Sequence, residues 1–201
     1  MGQYDFDKMA KKLSRYLDKA RYKHTIGVMH TSVCLAMAHG ADMEAAQLAG
    51  LLHDSAKCIP NKKKLKICRQ HKIPVTPFEE KHPFLLHSKL GAYLAKEKYD
   101  VKDEAVLDAI TYHTTGKPEM SLLAKITYIA DYIEPLRDKA PNLAAVRKLA
   151  FADLDECMYV ILKDTLCYLN ANPADIEPLT WKAYTYYEKL HNAKQKEMKS
   201  T

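Results

Sequence analysis

The strongest constraint in this sequence is a polar dipeptide, His53-Asp54, that directly follows the apolar run Leu48-Ala49-Gly50-Leu51-Leu52. The run is typical of a helix inside a core, so we expect both polar side chains to lie deep in a buried helix. An imidazole and a carboxylate buried without partners would cost several kcal/mol. A divalent metal ion or a buried salt bridge could compensate, and the run alone does not choose between them.

Histidine or aspartate also interrupts apolar segments at three other places. His87 follows two leucines, His113 ends an apolar segment, and Asp131 lies inside another. Each position alone is weak evidence, because a single helical histidine is more often a surface or hydrogen-bonded core residue than a ligand. Four buried positions of metal-ligand type on four different helices together indicate a metal site.

The remainder of the chain predicts an all-α fold. The 201 residues include only 6 glycines and 9 prolines, and few segments alternate apolar with polar residues. We expect one domain over residues 1–201, with its core at about 16–140 and C-terminal helices at about 142–197 packed on it. Apolar spacing from Phe6 to Leu17 and the capping-box pattern at Thr76 also predict helices. Asp42 can cap a helix that carries apolar residues up to Leu52, and Ser121 can open a helix at 121–133. Further helices are predicted at about 25–39, 84–98, 103–113, 143–151, 154–169 and 179–194.

Composition restricts the partners and the compartment. The formal net charge is +6, but the basic residues are spread along amphipathic helices. We interpret the tightest run, Lys62-Lys63-Lys64, as a solvated helix face rather than a nucleic-acid patch. Five cysteines without a C-x-x-C pair fit a reducing compartment. No apolar signal segment or membrane span is evident, so we expect a cytoplasmic protein without a membrane partner. The sequence leaves the oligomeric state open, with a homodimer among the alternatives.

Five motifs surround the polar positions named above. They are Arg21-Tyr22-Lys23-His24-Thr25, Leu51-Leu52-His53-Asp54-Ser55-Ala56-Lys57, Leu85-Leu86-His87, Tyr112-His113-Thr114-Thr115-Gly116 and Ala130-Asp131-Tyr132-Ile133-Glu134-Pro135-Leu136-Arg137. Their order resembles the HD superfamily of metal-dependent phosphohydrolases. The residues around them resemble the bacterial symmetrical bis(5′-nucleosyl)-tetraphosphatases of HD type over about residues 16–189. One departure is Leu136, where that family often has glycine.

The resemblance implies an enzyme that hydrolyses diadenosine tetraphosphate and related dinucleoside polyphosphates to two nucleoside diphosphates. It also implies two divalent metal ions bridged by Asp54. The implied ligands of the first ion are His24, His53, Asp54 and Asp131, and those of the second are Asp54, His87 and His113. The family implies iron, whereas imidazole and carboxylate ligands would also suit manganese, zinc or cobalt. His82 remains an alternative to His87.

Residues beside the ligands are candidates for catalysis and substrate binding. Lys57 lies three residues after Asp54, where a helical face would bring its ammonium group near the carboxylate, although it could also be a surface lysine. Arg21 lies one turn before His24, and Arg137 lies just past the helix of Asp131; arginine suits bidentate phosphate binding.

Two further segments and one ligand are weaker candidates. His87 could also contact substrate. Thr114-Thr115-Gly116 could bind phosphate oxygens or form an ordinary helix end. Segment 172–178, which the resemblance places near the nucleoside, is equally typical of an interhelical turn.

Two alternative functions stay open at this point. One is another HD-type nucleotide phosphohydrolase, either a nucleotidase or a phosphodiesterase of signalling nucleotides. The other is a non-catalytic nucleotide-binding regulator, against which the presence of all six candidate ligands argues.

Overall fold

The computed structural model describes residues 4–140, 142–169 and 176–200. Within these ranges the chain forms eleven α-helices and one short 3-10 helix, so the predicted all-α class is confirmed. The α-helices are α1 (Phe6–Leu13), α2 (Lys19–His39), α3 (Met43–Leu52), α4 (Asn61–Gln70), α5 (Pro77–Lys81), α6 (Leu86–Tyr99), α7 (Glu104–Tyr112), α8 (Leu122–Ile133), α9 (Leu143–Ala150), α10 (Leu154–Leu169) and α11 (Pro178–Ser200). The 3-10 helix, Pro83–Leu85, immediately precedes α6.

Side-chain caps decide where several helices begin. Asp42 accepts hydrogen bonds from the first-turn amides of α3, Ser121 does the same for α8, and Thr76 forms the predicted capping box with Glu79 on α5. Asp18 caps α2 by accepting from the Arg21 amide. The predicted start of this helix at residue 25 is therefore wrong by six residues, and His24 lies inside the helix.

Other predicted boundaries shift at helix ends. α1 ends at Leu13 rather than at Leu17, and a 3-10 turn replaces the predicted first turn of the 84–98 helix. α11 continues to Ser200 rather than stopping at Lys194. These differences are of the kind expected from single-sequence periodicity, which locates an element better than its ends.

The predicted position of the His53-Asp54 dipeptide inside a helix is also wrong. His53 is the C-cap of α3, and Asp54 lies in the turn that follows, so neither residue lies deep inside a helix. Backbone bonds from Ser55 N to Leu52 O and from Lys57 N to Asp54 O close this turn. Both polar side chains are nevertheless buried, with His53 0% and Asp54 1% exposed.

One apolar core connects the N-terminal and C-terminal helices. α8 packs against α2, α3 and α7, while α10 packs against α8, α9 and α11. A single cluster of buried side chains extends from Met9 on α1 to Tyr187 on α11. Thus α10 and α11 share the apolar interior that supports α2, α3 and α8. Among the described residues, no helix has the length and apolar character needed to cross a membrane.

The basic run on α4 differs from its prediction at one residue. Lys64 is only 3% exposed, and its ammonium group donates to Lys57 O at 3.2 Å and to Asn61 Oδ1 at 3.3 Å. The interpretation of this run as a solvated face is therefore wrong for Lys64. Burial lowers the pKa of Lys64. Its bond to Lys57 O ties α4 to the turn that follows α3.

A glycine permits the close approach of α2 and α3. A Cβ atom added at Gly50 would lie 2.9 Å from Met29 Cα and 2.9 Å from Ser32 Oγ. The first of these neighbours is backbone, so a side chain at residue 50 would push the helices apart. This contact fixes how far the C-terminal end of α3, with His53 and Asp54, stands from α2.

We therefore expect Gly50→Ala to lower the free energy of unfolding by about 1–3 kcal/mol, as overpacked cores do. Urea unfolding followed by circular dichroism measures the change. Gly40→Asn is the control, because residue 40 has a left-handed φ of 69° with open space around it and asparagine tolerates that conformation. An equal or larger loss for the control would mean that α2–α3 packing is not the limiting contact.

Candidate metal centre

The structure brings all six predicted ligand positions into one cluster. Each side chain comes from the body or the end of a different helix, except that the dipeptide supplies two. The contributors are His24 on α2, His53 and Asp54 at and after the end of α3, His87 on α6, His113 at the C-cap of α7 and Asp131 on α8.

The two oxygens of Asp54 face different pairs of imidazoles. Oδ1 lies 3.2 Å from His87 Nε2 and 3.6 Å from His113 Nε2. Oδ2 lies 3.5 Å from His53 Nε2 and 3.8 Å from His24 Nε2. The carboxylate therefore stands between two sets of nitrogen atoms.

Asp131 closes the set on the Oδ2 side. Its Oδ1 atom is 3.0 Å from His24 Nε2 and 3.9 Å from His53 Nε2. The candidate ligand atoms of His24, His53 and Asp131 all lie within 4.8 Å of one another, and so do those of His53, Asp54 and His113. Separations of this size leave room for an ion between the atoms.

Backbone carbonyls fix the tautomers of three of these histidines. The Nδ1 atoms of His53, His87 and His113 lie 2.7, 2.6 and 2.7 Å from the carbonyl oxygens of the residues three positions earlier. A carbonyl only accepts, so each Nδ1 must carry the proton and donate it. In the neutral ring, Nε2 then presents a lone pair to the cluster, as a metal ligand requires.

Glu134 fixes the tautomer of His24 in the same way. Its Oε1 atom lies 3.0 Å from His24 Nδ1, and the carboxylate is 1% exposed. The second oxygen, Oε2, accepts from the Leu136 amide at 2.8 Å. A Cβ atom at Gly27 would overlap this carboxylate, so the glycine on α2 makes room for it. Glu134 thereby orients the one cluster histidine that has no backbone partner for Nδ1 among the described residues.

The unpaired atoms of the cluster provide a test of whether it fits a metal ion. His24 Nε2, His53 Nε2 and Asp54 Oδ1 are buried and lack a hydrogen-bond partner among the described residues. His24 Nε2 stands 3.0 Å from Asp131 but outside hydrogen-bonding geometry. Two imidazole lone pairs and a carboxylate oxygen that lack donors are costly in a protein interior. A divalent cation would satisfy all three, so the residues fit one.

Salt bridges compensate only part of the buried charge. Arg21 Nη1 lies 2.7 Å from Asp54 Oδ2, and Arg137 Nη2 lies 2.7 Å from Asp131 Oδ1. Each guanidinium therefore pairs one oxygen of one carboxylate. Neither is a partner of His24 Nε2, and salt bridges alone leave the imidazoles unsatisfied. A bound metal ion thus accounts for more of the polar atoms in the cluster than salt bridges do.

The protonation states also suit a cation. Burial raises the pKa of Asp54, but the neighbouring His53 and contacts with His113 and His87 more than offset it, and the pKa falls well below its usual value. The same balance of burial against His24 and His53 lowers the pKa of Asp131. Burial lowers the pKa of His87 to about 4. At neutral pH both carboxylates are ionised and His87 is a neutral base.

A cleft of about 670 Å³, which we call the main cleft, opens on the cluster. His24, His113 and Asp131 form part of its wall. Its basic lining residues are Arg21, Lys23, Lys57, Arg137 and Lys139, and its acidic ones are Asp18, Asp131, Glu134 and Asp138. An anionic ligand that reached the cluster would therefore meet several cations around it.

Lys57 and Thr114 stand at the edge of the cluster. Lys57 Nζ lies 3.8 Å from Asp54 Oδ1 and 3.1 Å from His87 Nε2, although a turn rather than a helical face brings it there. The Thr114 hydroxyl lies 3.1 Å from both His87 Nε2 and His113 Nε2. Both residues line the main cleft, so their placement agrees with a role in substrate contact.

Other predicted candidates lie elsewhere. Thr115 lines a separate cavity and bonds to Gly116 O, and Gly116, with φ 64°, packs near Ala183 on α11. Their contacts explain a helix end better than a phosphate site, so the predicted substrate contact of Thr115 and Gly116 gains no support. His82 stacks on Phe78 with ring centroids 4.4 Å apart. The structure thus brings His87, not His82, to Asp54. Residues 172–175 of the 172–178 segment lie outside the described residues.

Sequence reasoning missed two residues that hold the site in place. In the sequence, Glu134 stands out only as part of a motif. Gly27 is an indirect signal that another group approaches α2 closely at this position. Arg147 on α9 donates to the carbonyl oxygens of Ile133, Glu134 and Arg137 at 2.9, 3.0 and 3.0 Å. It therefore satisfies the C-terminal end of α8 and fixes the loop that carries Glu134 and Arg137. No local pattern around Arg147 indicates this role.

We expect Glu134→Ala to weaken divalent metal binding by about 10- to 100-fold, because His24 loses the partner that orients its ring. Glu134→Gln should fall between this variant and wild type, since its amide oxygen can still accept from His24. Competition with a chelating dye measures the affinity. Glu80→Gln, an exposed change on α5, is the matched control. Wild-type affinity in Glu134→Ala would show that His24 needs no such orientation.

The depressed pKa of His87 predicts how the metal-free protein responds to acid. Histidine in the unfolded chain titrates near 6.5 and His87 in the fold near 4. The unfolded state therefore binds the proton first, and the stability contributed by neutral His87 is lost as pH falls from about 6.5 to about 4. With chelator present, the melting temperature of His87→Gln should fall less over this window than that of wild type. His30→Gln, at an exposed position, should keep the wild-type slope; equal slopes for all three would contradict the assignment.

Comparison with known proteins places the cluster in a family. Residues 21–136 match the HD domain. A Bacillus subtilis (strain 168) protein named symmetrical bis(5′-nucleosyl)-tetraphosphatase is 40% identical over 174 residues, 87% of this chain and 92% of the relative. A Staphylococcus aureus (strain NCTC 8325 / PS 47) protein of the same name is 34% identical over 181 residues, 89% of this chain and 92% of the relative.

A crystal structure from Clostridium acetobutylicum extends the comparison to the fold. That protein is described as a predicted HD superfamily hydrolase involved in NAD metabolism. It matches with a TM-score of 0.88 and 38% identity over 94% of this chain and 99% of that chain. The resemblance indicated by the five motifs is thereby confirmed: this chain belongs to the HD domain family and, within it, to the group of symmetrical bis(5′-nucleosyl)-tetraphosphatases.

Proposed function

We propose that this protein is a metal-dependent hydrolase that cleaves diadenosine tetraphosphate and related dinucleoside polyphosphates symmetrically, into two nucleoside diphosphates. The names of the relatives from Bacillus subtilis and Staphylococcus aureus support the substrate class. The observation that carries the proposal is the convergence of four imidazoles and two carboxylates at the wall of a cleft lined by basic side chains. Such a cluster suits hydrolysis of a phosphoanhydride, which carries several negative charges.

The two oxygens of Asp54 support an assignment of ligands to two ions. We assign His24, His53, Asp54 and Asp131 to one ion and Asp54, His87 and His113 to the second. The support is that Oδ2 faces the first pair of histidines and Oδ1 faces the second pair. Iron is the metal we propose, on the family resemblance; manganese, cobalt or zinc would suit the same donor atoms. Metal analysis of protein purified without added metal tests both the number and the identity.

Each part of the site then has a chemical task. Bound divalent ions would supply an activated water and neutralise charge on the phosphate oxygens. Asp54 and Asp131 are ionised at neutral pH and the histidines are held with Nε2 inward, so the ligand atoms already face the cluster. Lys57, with its ammonium group 3.8 Å from Asp54 Oδ1, can donate to a phosphate oxygen beside the reaction centre.

The arginines of the main cleft provide further phosphate contacts. Arg21 uses one Nη atom for Asp54, and the other donors of its guanidinium remain available to a phosphate oxygen. Arg137 uses Nε for the Asp131 carbonyl oxygen and Nη2 for Asp131 Oδ1, which leaves Nη1 for a phosphate oxygen, and its side chain is more exposed than that of Arg21. These arginines on the Oδ2 side of Asp54, together with Lys57 on the Oδ1 side, would hold a polyphosphate chain across the cluster, so that an inner phosphorus lies at the reaction centre.

A product assay tests the substrate and the cleavage position. Incubated with diadenosine tetraphosphate and a divalent metal, the protein should release ADP as the sole early product, as chromatography with excess enzyme would show. AMP and ATP in equal amounts would mean attack at an outer phosphorus. Rapid phosphate release from a mononucleotide, without turnover of the dinucleotide, would favour the nucleotidase alternative.

Substitutions test the roles of individual residues. Asp54→Asn should abolish turnover, since the amide cannot bridge two cations as a carboxylate does. Lys57→Gln and Arg137→Gln should keep bound metal but lower kcat/KM by roughly 10- to 100-fold, because each loses one charge-assisted contact with phosphate. Lys62→Gln, an exposed change on α4, is the control for loss of one positive charge. Wild-type turnover of Asp54→Asn at full metal occupancy would exclude the bridging role.

A further inference from the structure

The main cleft has a second region that the hydrolytic chemistry does not use. One helical turn before Asp131 on α8 is Tyr128, and the next residue after Asp131 is Tyr132; both line the cleft. Ile161 and Thr165 of α10, which packs against α8, line the same cleft. These four residues are uncharged, whereas the basic side chains lie among the cluster and on the loop after α8. The cleft is therefore divided into a charged region and an uncharged, aromatic one.

The side chains of the aromatic region are held in place by the apolar core. Tyr132 is partly buried, and its ring packs against the apolar core, which restrains it. Ile161 and Tyr128 are buried apart from the surfaces they present to the cleft. A flat and restrained apolar wall of this kind is already ordered before a ligand arrives.

This wall offers a ligand apolar contact area more than free hydrogen-bond donors. The Thr165 hydroxyl already donates to Ile161 O at 2.8 Å within α10. A ligand group that suits the wall is therefore planar and largely apolar on its face. Aromatic side chains bind nucleobases by stacking in this way, with little dependence on which base is present.

We propose that the uncharged region formed by Tyr128, Tyr132, Ile161 and Thr165 is a nucleobase subsite, in which the base of one nucleoside of the substrate stacks on the Tyr132 ring. The inference rests on the proposed function, because only a nucleotide places a base beside a phosphate chain. The order of residues on α8 supports it: Asp131, at the cluster, directly precedes Tyr132. A nucleotide whose phosphates lie at the cluster therefore has its base within reach of the wall, separated by the ribose.

Equilibrium binding of the product ADP and of inorganic pyrophosphate tests the subsite, since the two ligands share phosphates and differ in the nucleoside. Calorimetry on the metal-loaded protein should show that Tyr132→Leu weakens ADP binding about tenfold or more, the range expected for loss of one stacked base. Its affinity for pyrophosphate should change less than about twofold. Tyr132→Phe keeps the ring and should restore most of the ADP affinity. Tyr16→Leu, a tyrosine 58% exposed outside the main cleft, is the matched control.

Three results would overturn the proposal. Equal losses for ADP and pyrophosphate in Tyr132→Leu would show that the change acts through Asp131 and the metal, and would overturn it. Unchanged ADP affinity in both Tyr132 variants would place the base elsewhere, as would wild-type protein that binds ADP no more tightly than pyrophosphate. Circular dichroism melts confirm that the variants fold. Because binding is measured without turnover, this result stands apart from the product assay, whose failure would overturn symmetrical cleavage but not the subsite.

Discussion

The site depends on the hydrogen bonds that three histidines donate from Nδ1 to the carbonyl oxygen three residues earlier. For His53 and His113 these acceptors are Gly50 and Ile110, in the last turns of α3 and α7. The final carbonyls of a helix have no partner within the helix, so a histidine at the C-cap satisfies one and is oriented by it. The same bond sets the tautomer and directs Nε2 inward. One local interaction thus turns the end of a helix into a candidate metal-ligand position.

The arrangement also has an electrostatic consequence. The C-terminal end of a helix carries partial negative charge, which favours a nearby cation. α3 and α7 both end at the cluster, next to the ionised carboxylates of Asp54 and Asp131. The supporting contacts then limit movement: Lys64 holds the turn that carries Asp54 and Lys57, and Arg147 holds the loop that carries Glu134 and Arg137. Two buried or half-buried cations outside the cluster therefore hold the segments that carry Asp54 and Glu134.

A division of the main cleft follows from the same helices. α8 supplies Asp131 to the cluster, Tyr132 to the uncharged wall and, through the loop after it, Arg137 to the basic lining. A single helix therefore aligns the candidate metal ligand, the uncharged wall and the basic lining, which are the three parts of the proposed nucleotide site. The C-terminal helix α10 completes the uncharged wall with Ile161 and Thr165. α10 can do so because the C-terminal helices share a core with the helices that carry the ligands.

The sequence by itself determined the helical class, the helix starts marked by Asp42, Thr76 and Ser121, and the residue types of the cluster. These are local properties, since periodicity, capping and polar interruptions of apolar segments are written in neighbouring residues. The motifs around the polar positions also predicted the family, which the comparisons confirmed.

Only the tertiary structure decided which polar residues meet and which are held apart. It brought His87 rather than His82 to Asp54, turned Thr115 toward a different cavity, and buried Lys64 against the Lys57 carbonyl. It also joined Glu134 to His24, 110 residues apart in the chain, through the space left by Gly27. Such contacts depend on how helices cross, and no pattern within a helix specifies the side chain that another helix will place beside it.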